Sequence, residues 1–145
     1  MKEYKIYTSG GMMKFGADNF KESNDWREYC KNTLENCECN YKVKVFNPNQ
    51  YFSFKDNAPE YDSELEVMRY DLHNLCKSDL VIVNYNDKWS LGTMSEVAIA
   101  YDRGIPVIGL NIDNETLHPW QECMTERIFT DIDKMLEYIK DFYLT

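Results

Sequence analysis

Five short stretches of this 145-residue chain carry strand-like patterns of apolar and polar positions. Residues 4–8 alternate among β-forming types and stop at Ser9-Gly10-Gly11, and residues 41–46 do the same before Asn47-Pro48-Asn49. Residues 79–85 enclose the unbroken run Leu80-Val81-Ile82-Val83, whose length and β-branching suit a buried strand. Residues 105–110, with Pro106 near the start where no ladder donor is needed, and the short stretch 127–130 complete the set. Between these stretches the apolar spacing lengthens to the helical period. Trp26, Cys30 and Leu34, widened by Tyr29, mark a helix that Ser23, Asn24 or Asp25 would cap and that runs to about residue 36. Leu65, Met68, Leu72, Leu75 and Cys76 mark a second over residues 63–77. A third spans residues 93–102 and ends before Gly104, and Ile132, Met135, Leu136, Ile139 and Phe142 mark a closing helix over 131–142. Strands alternating with helices predict an α/β fold in a single domain over residues 1–145: a five-stranded, largely parallel sheet with helices on both faces.

Two connections are long. Residues 50–61 are aromatic and polar without a period, and a loop of that length is functional or mobile. Tyr51, Phe52 and Phe54 could wall a planar base or pack the loop onto the core. Residues 111–121 read as a polar loop.

Composition narrows the classes of function. With 43% hydrophobic and 14% aromatic residues, the chain can bury a core without staples. No run of about 18 apolar residues occurs, so no membrane partner is expected. The opening residues lead straight into a strand pattern without an apolar leader, which predicts a cytoplasmic location. A net charge of −9, from 25 acids against 16 bases and with no basic stripe, argues against polymeric nucleic acid as a partner. The five cysteines read as reduced thiols. Cys37 and Cys39 have no second cluster nearby and His73 and His118 lie far off, so no zinc site is expected.

The candidate chemistry gathers where the third strand leads through residues 84–92 into the third helix. In open parallel sheets, ligands bind beyond the carboxyl ends of the strands. Thr93 is a candidate N-cap, and Glu96 three residues later would then sit on the first turn, facing that loop. The same Thr-x-x-Glu pattern is also a capping box, in which the two side chains satisfy backbone amides. Ser9, Gly10 and Gly11 after the first strand could bring backbone amides to an anion or a sugar, or could simply form a turn. Asp71 falls at the edge of its helix's apolar stripe, where it could snorkel to water or point into a cleft.

Taken in order, these pieces resemble one family. The strand of Lys5-Ile6-Tyr7 with its Ser9-Gly10-Gly11 turn, the Asp71-Leu72 helix, and the strand Ser78-Asp79-Leu80-Val81-Ile82-Val83 match it. So do the loop Ser90-x-Gly92-Thr93-x-x-Glu96 and the stretch Gly104-Ile105-Pro106-Val107-Ile108. The chain resembles the nucleoside 2-deoxyribosyltransferases and the related 2′-deoxynucleoside 5′-monophosphate N-glycosidases, a Rossmann-like or flavodoxin-like architecture. The resemblance implies that Glu96 attacks the anomeric carbon of a deoxyribose and forms a glycosyl-enzyme. It implies that Asp71 hydrogen-bonds or protonates the departing base, and that Tyr7 holds the nucleophile. The strand-one turn and Gly92 would contact substrate. Transferases of this kind commonly carry an aspartate where Ser90 stands, whereas the hydrolases use a serine there for the 5′-phosphate. The hydrolases also place an arginine near the position of Met13, where only Lys14 could substitute. The two signals leave transfer, hydrolysis and a non-catalytic nucleotide sensor as alternatives. The resemblance implies no metal or organic cofactor. Its expected partners are a small deoxynucleoside or deoxynucleotide, a free nucleobase, and further copies of the chain in a homodimer or higher homo-oligomer. A neighbour's segment around Thr125, Glu126 and Arg127 would complete each site.

Overall fold

A computed structural model describes residues 1–11, 20–51, 54–55, 58–59 and 63–145. The chain runs β1 (Lys2–Gly10), α1 (Phe20–Glu35), β2 (Tyr41–Phe46), β3 (Phe54–Lys55), β4 (Ala58–Pro59) and α2 (Glu64–Cys76). It continues with β5 (Leu80–Asn84), α3 (Leu91–Asp102), β6 (Val107–Leu110), α4 (Pro119–Met124), β7 (Arg127–Phe129) and α5 (Ile132–Tyr143). Five strands form one parallel sheet in the order β2-β1-β5-β6-β7, and β3 and β4 make a small antiparallel pair inside the long connection. The order reverses direction between β1 and β5, so a crevice opens beyond their carboxyl ends.

The strand patterns explain the positions in the sheet. All of Leu80 to Asn84 is buried, as expected for a central strand covered on both faces. β2 lies at the edge, and its exposed Lys42 and Lys44 blunt the free edge. Alternation along β1 splits its side chains between two layers. Ile6 joins Trp26, Cys30 and Leu34 of α1 and Met135, Leu136 and Ile139 of α5 in one core. Tyr7 joins Leu75 of α2 and Val97 and Ala100 of α3 in the core on the other face. Pairing Ile6 with Leu80 and Tyr7 with Val81 fixes that register. All five cysteines are free, and no described helix is long and apolar enough to cross a membrane.

The structure departs from the sequence patterns at helix starts and faces. Residues 23–25 do not cap α1: the helix already includes Phe20, and the Ser23 hydroxyl accepts a hydrogen bond from Arg27. In α2 the sheet-facing side is Asp71 and Leu75, while Leu65 and Met68 are 53% and 52% exposed. The first half of α2 overhangs the crevice, so its apolar stripe has no sheet beneath it. Residues 111–121 are not all loop. His118 accepts from the Trp120 amide and Gln121 reciprocates on the His118 amide, a capping box that starts the short α4 behind Pro119.

Candidate active site

Strand parity and a helix start build the site. Tyr7 and Ser9 alternate onto the same face of β1 and meet α3 there. α3 begins at Leu91 because Ser90 is its N-cap, its Oγ accepting from the Thr93 amide at 3.4 Å. Thr93 is therefore not the cap, and its pairing with Glu96 is not a capping box. The short 3-10 turn of Tyr85 to Asp87 delivers the chain to Ser90 and leaves Thr93 inside the helix. Glu96 consequently stands past the first turn, free for other partners.

Those partners are both hydroxyls from β1. The Tyr7 phenol donates to one Glu96 oxygen, and Ser9 Oγ donates to the other at 2.8 Å. Both carboxylate oxygens are thus aimed by the buried end of an interior strand, which fixes the rotamer. Burial pushes Glu96 above the ordinary carboxylate range, and the hydrogen bonds from Tyr7 and Ser9 and the Arg27 charge work against it. Burial first, then the Glu96 and Asp71 charges, holds the Tyr7 phenol well above its usual value, so it remains a donor. Asp71, 6% exposed, has an Oδ1 without a hydrogen-bond partner. Burial and the Glu96 charge raise it to about 7. Two carboxyls that burial raises thus stand close enough for the Glu96 charge to lift Asp71 further, while hydrogen bonds from Tyr7 and Ser9 oppose the rise at Glu96.

Both line a cavity of about 520 Å³ together with Tyr7, Gly10, Ser90 and Gly92. A Cβ on Gly92 would meet nothing within 4 Å, and Thr93 Oγ1, buried beside it, has no partner. The larger groove, about 930 Å³, runs along the β2 edge among lysines and holds neither acid.

Not every expected residue converges. Ser9 serves Glu96 directly. Gly10 contributes a backbone oxygen to Arg27, and a Cβ there would come within 2.9 Å of the Trp26 ring. Gly11 packs against Asp87 and opens on a second cavity, of about 460 Å³. Arg127 is exposed on β7 with its guanidinium over Phe129 and Tyr138, outside the cavity of its own chain. Lys14 and Phe52 lie outside the described residues, and of the aromatic wall only the Tyr51 side chain is described, its ring stacked on Phe46 at 5.2 Å. Phe46 in turn stacks on Tyr7 at 5.3 Å.

The chain matches the family model described as nucleoside 2-deoxyribosyltransferase over residues 11–137. It belongs to that family. No curated protein matches it by sequence. Solved structures share the deoxyribosyltransferase fold. A conserved protein from Enterococcus faecalis V583 superposes with a TM-score of 0.73 at 19% identity, covering 96% of this chain and 98% of that one. The 2-deoxyribosyltransferase of Bacillus psychrosaccharolyticus gives 0.68 at 19% identity over 92% and 91%. The CMP N-glycosidase of Clostridium botulinum gives 0.60 at 17% identity over 97% and 99%.

In the candidate site of this deoxyribosyltransferase-family chain, the sequence patterns did not single out Arg27. Its guanidinium is fully buried and lines the cavity. Nη1 donates to the Ser23 carbonyl and hydroxyl, both at 2.7 Å, and Nη2 donates to the Gly10 carbonyl at 2.9 Å. A signal was present: Ser23, Arg27, Cys30 and Leu34 share one face of α1, so a charge occupies a core-facing position.

Proposed function

We propose that this protein cleaves the N-glycosidic bond of a 2′-deoxynucleoside through a glycosyl ester on Glu96 and passes the sugar to an acceptor base. One observation carries the reading: Glu96, clamped on both oxygens, faces a cavity that also holds Asp71 at about 7. An oxocarbenium-like transition state needs a carboxylate against one face of the sugar, and a covalent ester divides one difficult displacement into two. Asp71, protonated near neutrality, gives its proton to the departing base, which leaves more readily neutral than as an anion. Tyr7 and Ser9 are positioning residues for the nucleophile. No step calls on a metal or organic cofactor. The cavity-lining residues Met68 and Leu91, 52% and 85% exposed, suit cover by a second copy of the chain, and Arg127 would reach a site only in such an assembly.

A second reading, hydrolysis of a deoxynucleoside 5′-monophosphate, is favoured by the start of α3. The Ser90 hydroxyl and the first-turn amides of Leu91 and Gly92, which lack intrahelical partners, border the cavity and suit an anion.

Base release, followed by chromatography from deoxynucleosides and their monophosphates with and without a free base, separates the readings. Release that requires an acceptor base supports transfer, and acceptor-independent release confined to monophosphates supports hydrolysis. Incubation with a 2-fluoro-deoxynucleoside should add the sugar's mass to wild type and not to Glu96→Ala, which should fold and lose turnover. If no substrate releases base while monophosphates raise Tm, the site binds without chemistry and the proposal fails.

A further inference from the structure

We propose that Arg27 is the shared counter-ion of Glu96 and Asp71, a positioning residue that keeps the pair at one negative charge while that charge moves from one to the other. The inference rests on the glycosyl-ester reading above. Its geometric basis is unusual for an arginine. The side chain is 1% exposed, all three of its hydrogen bonds go to neutral oxygens, and Nε has no partner. Among the described residues no carboxylate comes within ion-pair distance of it. Burying a cation without a paired anion costs several kcal/mol, so a purely structural role would be served better by a neutral side chain. Burial lowers Arg27 to about 10, which leaves it charged at neutral pH.

The titratable groups that Arg27 faces are Glu96, Tyr7 and Asp71, with the Cys30 thiol behind it. Glu96 meets Tyr7 and Ser9 from β1 and Arg27 from α1. Asp71 meets Glu96 from α3 and Arg27 from α1. One cation thus serves two acids, and the chemistry uses one negative charge at a time. In the first step a Glu96 oxygen bonds to C1′ as the C1′–N bond breaks. The electron pair stays on the base nitrogen, which takes the Asp71 proton. Glu96 becomes a neutral ester and Asp71 an anion. In the return step, the acceptor base or water bonds to C1′ and gives its proton to Asp71, the ester C–O bond opens, and Glu96 is ionised again. The charge beside Arg27 is one before, between and after these steps. The fixed guanidinium therefore stabilises each state without having to move.

The test is the pH profile of kcat/KM for wild type, Arg27→Met and Arg27→Lys. The acid limb reports ionisation of Glu96 and the alkaline limb loss of the Asp71 proton. Arg27 lowers both, so its removal should displace both limbs upward by about one pH unit, which means about tenfold less activity on the acid side. Activity relative to wild type should recover on the alkaline side, and Lys should restore both limbs. A profile that drops without moving makes Arg27 structural and overturns the proposal. Carboxyl 13C titration of Glu96 and Asp71 reads the same shifts without turnover, so a failure of the glycosyl-ester reading is seen separately. Arg27→Gln replaces Met if Met does not fold. Glu96→Gln supplies an independent check: with only Asp71 left to face Arg27, the Asp71 titration should fall by about one pH unit or more. An Asp71 unmoved in that variant also overturns the proposal.

Discussion

Replacing Asp71 by Asn removes a carboxyl that the fold keeps protonated where an unfolded chain would ionise it. Burial first, and the Glu96 charge second, lift this group from 3.8 to about 7 against the pull of Arg27. Between those values the folded chain binds more protons than the unfolded one. Stability is therefore lost as pH rises through the window and levels off above it. At about 1.4 kcal/mol per tenfold change in proton affinity, the loss is about 1.7 kcal/mol at pH 5 and about 4 kcal/mol at pH 8. Asn has nearly the same shape, so its packing and hydrogen bonding differ from Asp by an amount that does not depend on pH. The stability of Asp71→Asn relative to wild type should then rise by roughly 2.5 kcal/mol between pH 5 and pH 8. Denaturant unfolding at both pH values, with unchanged m, measures it. The same variant should lose base departure, since an amide has no proton to supply. A stability difference that stays constant with pH would refute both the buried, protonated Asp71 and the acid role built on it.

Tyr7→Phe keeps the ring stacked on Phe46 and removes the donor to Glu96. Burial then acts less opposed on that carboxyl, so the acid limb of kcat/KM should move upward, with about tenfold less activity on that side for each pH unit of displacement; an unmoved limb would show that the phenol does not tune Glu96. Gly11→Ala places a Cβ 2.7 Å from Asp87 Cβ. The turn must shift, and thermal or chemical unfolding should show a loss of about 1–3 kcal/mol.

The sheet was readable from the sequence because its signal is local. Leu80 to Val83 is apolar throughout and central, and residues 41–46 alternate and form an edge strand with the same limits. Caps were less readable because they depend on how the chain arrives. Thr93 and Ser90 are both good N-caps, and the turn at Tyr85 to Asp87 decides for Ser90. That choice frees Glu96 from its local alternative, so the pattern located the residue while assigning it the wrong neighbour. Asp71 was visible as a residue on a helix border, but which way the border faced depended on a crevice that only the assembled sheet creates. Arg27 sits next to Trp26 and Glu28 in a helix rich in charge, and its burial follows from the Gly10 carbonyl 17 positions away in sequence. The helical period places Arg27 on the core face with Cys30 and Leu34, but it does not name so distant a partner.

The parity of β1 also bears on folding. Tyr7 and Ser9 reach Glu96 only if β1 docks beside β5 with Ile6 opposite Leu80. A slip by one residue would offer Ile6 and Thr8 to the nucleophile instead, while leaving the amount of strand nearly unchanged. After denaturation, regained turnover would then count only chains in the correct register, and regained far-ultraviolet dichroism would count all that have formed the sheet. Any lag between the two would time the correction of that misalignment.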